Sequence, residues 1–121
     1  MPTLTSAVDT SADAYRQNRE SMLGALAEVD EQLALARAGG GERYVERHRR
    51  RGKLGARERI ELLLDRDSPF LELAPLAAWG TTYTVGASVV AGIGVVSGVE
   101  CMVSANDPTV RGGASNPFSM R

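Results

Sequence analysis

An α/β chain, helical in its first half and strand-forming in its second, is the fold class that the sequence predicts. Three observations carry it. Apolar residues between Tyr15 and Ala36 recur at helical intervals. Two β-rich runs, Val89 to Val96 and Val99 to Ala105, flank the dipeptide Ser97-Gly98. Between the two regimes lies the turn chemistry of Asp65-Arg66-Asp67-Ser68-Pro69.

Residues 1–10 are rich in Thr and Ser and lack periodicity, which predicts a flexible tail. A helix is predicted over 11–38. Thr10 and Asp13 stand at capping-box spacing, with Asp in place of the usual Glu or Gln. Tyr15, Met22, Leu26, Val29, Leu33 and Ala36 then form one apolar stripe. Gly39-Gly40-Gly41 ends it, because glycine enters the left-handed conformation of a helix terminus without steric cost. A stripe on so long a helix predicts a packing partner, such as another subunit.

The next segment, 42–65, is basic and helical. A short charged helix is expected from Glu42 to Arg51, stopped by Gly52. A second is expected from Ala56 to Leu64, with Ile60, Leu63 and Leu64 on its apolar side. Phe70 to Leu73 is a short strand candidate, and Pro75 to Thr84 reads as irregular.

The β-hairpin is the clearest local signal. Val89, Ala91, Ile93 and Val95 alternate with Val90, Gly92, Gly94 and Val96. After the two-residue turn, Val99, Cys101, Val103 and Ala105 share one face, with Glu100, Met102 and Ser104 opposite. Gly92 and Gly94 fall on a common face, which predicts a close approach to the backbone there. The chain then enters a polar, glycine-containing loop from Asn106 to Pro117 that leads towards a further helix. A two-stranded hairpin is barely stable alone, so its partners are expected elsewhere and the fold reads as incomplete.

Composition narrows the function. A chain of 121 residues allows one small domain or a portion of a larger one, and 43% hydrophobic with 24% charged residues is ordinary for folded protein. No apolar run approaches the ~20 residues of a membrane span, and Met1 to Thr10 lacks the features of a signal peptide. The lone Cys101 suits a reducing compartment, so a cytoplasmic location is expected, with no membrane contact. Net charge is −1, but it is unevenly spread. Residues 1–46 carry four basic and eight acidic side chains, 47–59 seven basic ones against Glu58, and 60–121 three basic against six acidic.

The basic block from Arg47 to Lys53 points to an anionic partner, since guanidinium forks and a lysine charge suit phosphate oxygens. Read from charge alone, it is more simply a solvated helix. Nucleic acid is disfavoured, because no aromatic side chains interleave with the charges. With His48 and Cys101 each the only residue of its type, no His/Cys metal constellation is expected. Cys101 reads as a small core residue. Gly92, Gly94 and Gly98 miss dinucleotide spacing and lie within a strand and its turn. Gly112-Gly113, by contrast, follows a strand and could aim backbone N–H groups into a site, or be a plain loop pair.

Three segments together resemble the opening of the carboxyltransferase β subunit of biotin-dependent acyl-CoA carboxylases. The first is Arg47-His48-x-x-Arg51-Gly52-Lys53-Leu54-x-x-Arg57-Glu58-Arg59-Ile60, running on to Leu63-Leu64-Asp65. The second is Ser68-Pro69-Phe70-Leu71-Glu72-Leu73-x-Pro75-Leu76-Ala77-Ala78. The third is the hairpin followed by Ala105-Asn106-Asp107-x-Thr109-Val110-x-Gly112-Gly113. The second and third resemble the methylcrotonyl-CoA and geranyl-CoA carboxylase branch more than the propionyl-CoA branch. Asp67 stands where the family usually has glycine, and Ala114 where threonine is common.

The resemblance implies a crotonase-like (ClpP/crotonase, ββα spiral) fold, of which 66–121 begins the carboxyltransferase N-terminal domain. It implies transfer of a carboxyl group from carboxybiotin to an acyl-CoA, through an enolate held by backbone N–H donors. The glycine-rich turns that supply those donors lie further along the family's sequence than Arg121, so no catalytic residue is assigned here. Biotin would be carried by a partner, the biotin carboxylase/biotin carrier subunit, and the β subunit would be a homo-oligomer. Lys53, Arg57 and Arg59 are the candidates for contacts to the phosphates of CoA. The chain alone is expected to be inactive. The competing reading is a non-catalytic interaction module, with a partner-binding helix and an anion-binding basic segment.

Overall fold

A computed structural model describes residues 5–119. The chain divides into two compact units, one up to Glu31 and one from Gln32 onward. Three α-helices, α1 (Asp13–Ala38), α2 (Glu42–Arg49) and α3 (Ala56–Leu63), precede three strands, β1 (Leu71–Leu73), β2 (Val89–Val96) and β3 (Val99–Asn106). A 3₁₀ turn, Arg111–Gly113, follows. The architecture is therefore α/β but small, with one three-stranded sheet among the described residues.

In the first unit, the start of α1 is organised by Asp9, not by the expected Thr10–Asp13 box. Asp9 Oδ1 accepts from the Ser11 N–H at 2.9 Å and the Ser11 hydroxyl at 2.6 Å. Asp13 pairs instead with Arg16, one turn on. Met22, Leu26 and Val29 of the apolar stripe are exposed.

In the second unit, the sheet is antiparallel in the order β1-β2-β3. Ser97 and Gly98 both have positive φ, 52° and 77°, the geometry that a two-residue hairpin turn needs to match strand twist. Asp65 pins this turn: its carboxylate accepts from the Ser97 and Gly98 N–H groups, each at 2.7 Å. The Asp65 N–H in turn donates to Val95 O at 2.9 Å. Such charge-assisted bonds fasten the end of α3 to the far end of the hairpin.

The inner face carries Val90, Gly92 and Gly94 of β2 opposite Ala105, Val103 and Cys101 of β3. Ala56, Ile60, Val90 and Val103 are buried together, with Leu64, Phe70, Cys101 and Ala105 packed around them. Cys101 thus packs against the core, on the face that its place on the strand predicts, but is only half-buried. The two glycines make room for what lies above them. A Cβ on Gly92 would sit 2.5 Å from Phe70 Cζ and against the Leu71 carbonyl, and one on Gly94 would strike Leu64. The outer face is different. Leu71, Ile93 and Met102 stand in one row across the three strands and are 62%, 39% and 65% exposed.

The helix ends depart slightly from expectation. α2 stops at Arg49 because the Arg51 and Gly52 N–H groups turn back to His48 and Arg49 carbonyls, a tightened last turn that Gly52 completes at φ 69°. α3 stops at Leu63, where Leu64 becomes extended and frees the chain for the Asp65 clamp. No helix among the described residues is long and apolar enough to cross a membrane.

Candidate functional site

The loop after β3 is held in place by the triple glycine that ends α1. Asp107 Oδ1 accepts from the Thr109 N–H and hydroxyl, and Thr109 Oγ1 accepts from the Gly40 N–H at 3.0 Å. Gly40 lies so close to the Thr109 carbonyl that no Cβ could fit. Gly39-Gly40-Gly41 therefore does more than stop a helix: it is a docking seat for Asp107–Val110. From there the chain passes through Gly112 and Gly113, at φ 71° and 80°. Gly113 donates to Val110 O at 2.8 Å, so its N–H is spent inside the turn and does not face an open site. Asn106 Nδ2 donates to Gly113 O at 3.0 Å and closes the loop. The loop itself contains a short 3₁₀ turn, Arg111–Gly113, whereas the helix towards which the sequence leads falls past Pro117, at the limit of the described residues.

The start of α3 forms the opposite wall. Glu58 Oε2 accepts from the Gly55 N–H at 2.6 Å, reaching back to satisfy a helix-terminal donor, and Glu58 also pairs with Arg49 at 2.9 Å. The Gly55 N–H, aided by the charge of Arg49, holds the Glu58 carboxyl below its ordinary range. His48 Nε2 lies 3.1 Å from Leu54 O and ties α2 to the turn before α3.

The three expected phosphate contacts take separate positions. Lys53 is exposed in the turn between α2 and α3. Arg57 makes a fork-on-fork pair with Glu72, at 2.6 and 3.4 Å, and reaches the Ala36 carbonyl at 3.5 Å. Its side chain and that of Glu72 are mostly covered, so this is an internal brace between α3 and β1. Arg59 donates to Asn106 O at 2.7 Å and straps α3 to the end of β3. Arg57 lines a groove of about 820 Å³ with Ile60, Leu64, Asp65, Phe70 and Glu72, a lining shared by neither Lys53 nor Arg59.

A second, smaller cleft lies between α2 and the loop after β3. It holds about 260 Å³ and is lined by Tyr44, Arg47, Thr84, Arg111 and Gly112, among others. Arg47 lies over the Tyr44 ring at 5.2 Å, and Arg111 over the Tyr83 ring at 5.3 Å. The charge pattern of the sequence singles out Arg47 within the basic block but gives no sign of Arg111, Tyr44 or Tyr83. Tyr44 and Arg47 are one helical turn apart, a spacing that could have shown the first pair. Among the described residues, no group of three or more His, Cys, Asp or Glu side chains is placed to hold a metal ion.

Asp67 explains one departure from the family pattern. Its φ of 62° is left-handed, a conformation in which glycine is unstrained and Asp is among the better tolerated alternatives. Ala114, at φ −65°, carries no strain; its carbonyl accepts from the buried Ser88 hydroxyl at 2.8 Å.

Comparison with known proteins matches these elements to one family. The family model for the carboxyl transferase domain matches residues 47–121, from the basic helix through the hairpin and its loop. The chain is 58% identical over 118 residues to the probable biotin-dependent acyl-coenzyme A carboxylase beta2 subunit of Mycobacterium tuberculosis, covering 98% of this chain and 22% of that one. It is 42% identical over 121 residues to the probable mitochondrial methylcrotonoyl-CoA carboxylase beta chain of Drosophila melanogaster, covering 98% and 21%. Among solved structures, the geranyl-CoA carboxylase beta subunit of P. aeruginosa superimposes with a TM-score of 0.74 at 36% identity, over 98% of this chain and 23% of that one. The chain thus spans about a fifth of the length of these relatives. With the match running through the basic helices, the hairpin and the Asn106–Gly113 loop in order, this chain belongs to the carboxyl transferase domain family.

Proposed function

We propose that this chain is the opening portion of a biotin-dependent acyl-CoA carboxyltransferase β subunit. In this reading 1–10 is a tail, 11–38 the N-terminal helix, 42–65 the basic segment, and 66–121 the beginning of a crotonase-like N-terminal domain. One observation supports it above the others. The match to the family covers the sheet, and that sheet carries a row of large apolar side chains, Leu71, Ile93 and Met102, left uncovered in a chain that spans about a fifth of its relatives. The remaining length of such a subunit would pack on this face and pair with the free edge of β3.

The intact subunit would transfer a carboxyl group to an acyl-CoA in the cytoplasm. Biotin, borne by the carrier subunit of a biotin carboxylase partner, would supply the activated carboxyl group, and no residue of this chain would hold it. The residues described here would position the scaffold, with Lys53, Arg57 and Arg59 contributing charge towards the phosphates of CoA. The exposed Lys53 is the most available of the three, since Arg57 and Arg59 also brace the fold. The subunit would assemble as a homo-oligomer, and this chain alone would be inactive.

The test is a fusion of this chain to the remaining length of the Mycobacterium tuberculosis beta2 relative. It would be supplied with that relative's biotin carboxylase and carrier subunit, and acyl-CoA-dependent fixation of labelled bicarbonate would be measured. An active fusion beside an inactive isolated chain is expected. A folded but inactive fusion, where the intact relative is active, would overturn the assignment. In the active fusion, Lys53→Ala should raise the acyl-CoA KM with little change in kcat; an unchanged KM removes Lys53 from the CoA site.

A further inference from the structure

We infer that the cleft between α2 and the Thr109–Gly112 turn is a binding site for a phosphorylated anion, read by Arg47 and Arg111. Among the described residues, two cations line this cleft and no carboxylate does. Among the described residues neither arginine forms an ion pair, whereas Arg16, Arg49, Arg50 and Arg57 all do. Each is instead held over an aromatic face, which leaves the edge of the guanidinium, with its N–H groups, available to oxygen acceptors. Tyr83 is itself braced edge-on by Phe118, with ring centroids 5.6 Å apart, so Arg111 rests on a fixed platform.

The backbone points the same way. Arg111 adopts φ 47°, a strained conformation for a side chain of this size, and the turn places it between two clefts. Gly112 follows at φ 71° with no heavy atom near the position of a Cβ, which leaves its backbone open to a ligand. On the other side of Arg111, a cleft of about 190 Å³ lined by Tyr83, Ser115 and Asn116 could take the remainder of a larger molecule. Thr84 borders both clefts and offers a hydroxyl. A diphosphate, long enough to bridge the two adjoining clefts, fits one arginine on each aromatic platform with Thr84 bordering both better than a lone carboxylate, which one arginine suffices to hold. The inference concerns residues other than Lys53, Arg57 and Arg59 and does not depend on the acyl-CoA reading.

The experiment is calorimetric titration of the 121-residue chain with inorganic pyrophosphate at low ionic strength. Arg47→Gln, Arg111→Gly and Arg66→Gln are compared with the parent. Arg111→Gly relaxes the positive φ while removing the cation, so it should remain folded, and circular dichroism checks all three. Arg66, exposed and outside the cleft, controls for net charge. Arg47→Gln and Arg111→Gly are each expected to weaken binding about tenfold, and Arg66→Gln less than about twofold. No binding by the parent, or equal losses in all three variants, would overturn the site. A parallel titration with coenzyme A separates sources. Tighter binding than pyrophosphate with the same variant pattern identifies the phosphates of an acyl-CoA, and equal binding identifies a free diphosphate.

Discussion

The two faces of the sheet are made by the same three strands, yet they are built on opposite rules. Inward, β2 presents Val90, Gly92 and Gly94, and side chains from outside the sheet fill the space: Ile60 and Leu64 from the α3 region and Phe70 from the approach to β1. Outward, Leu71, Ile93 and Met102 are large, apolar and uncovered. Burying one such side chain contributes roughly 1.5–3 kcal/mol, so a row of three left in water is a surface that a larger fold would bury. The inner face is a packed core in miniature; the outer face carries apolar side chains with nothing over them.

The sharpest way to break this contrast is at Gly92. Gly92→Val would drive a branched side chain into Phe70 and the Leu71 carbonyl. It is expected to cost about 3 kcal/mol or more, read as a loss of the cooperative thermal transition. A comparable Tm would show that the inner face is not packed as described. Asp65→Ala comes next. Removing the acceptor of the Ser97 and Gly98 N–H groups should cost about 1–3 kcal/mol in urea unfolding and speed hydrogen exchange at those two amides.

Glu58 gives a smaller, pH-dependent effect. Its carboxyl lies below the ordinary value of 4.5, chiefly through the Gly55 N–H and secondarily through Arg49. A lowered folded-state value means stability that is present above about pH 4.5 and is lost as the pH falls through the folded value. The stability difference between the parent and Glu58→Gln should therefore shrink on acidification below pH 4.5, and a pH-independent difference would contradict it. The smallest effect belongs to the outer face. Met102→Lys should change the stability of the chain by no more than ~0.5 kcal/mol, because its side chain is already in water. The exposed apolar row is expected to make the parent chain self-associate, and Met102→Lys should lower that association in sedimentation velocity.

What was legible in the sequence was local. The alternation of Val89–Val96 and of Val99 to Ala105, and the turn between them, follow from period and turn chemistry, and the structure has both strands, the second one residue longer, to Asn106. The glycines at 92 and 94 correctly announced a close approach, though not that Phe70 and Leu64 make it. What stayed hidden were pairings between distant residues. Nothing in the spacing of Gly40 and Thr109, Asp65 and Ser97, or Arg59 and Asn106 foretells a hydrogen bond, because each depends on where the whole chain turns. The basic block shows the same limit: its charge was plain, but not that Arg49 and Arg57 are engaged by Glu58 and Glu72.

On the function proposed above, the outer face of the sheet is an interior face of a complete carboxyltransferase domain. The most direct test of this claim places a thiol on that face, with Met102→Cys in a Cys101→Ser background. The rate of alkylation by iodoacetamide would be compared between the chain alone and its active fusion to the remaining length of a relative. Fast modification in the chain alone, slowed at least tenfold in the fusion, is the predicted result. Equal rates in a folded, active fusion would show that nothing packs on this face and would contradict the claim.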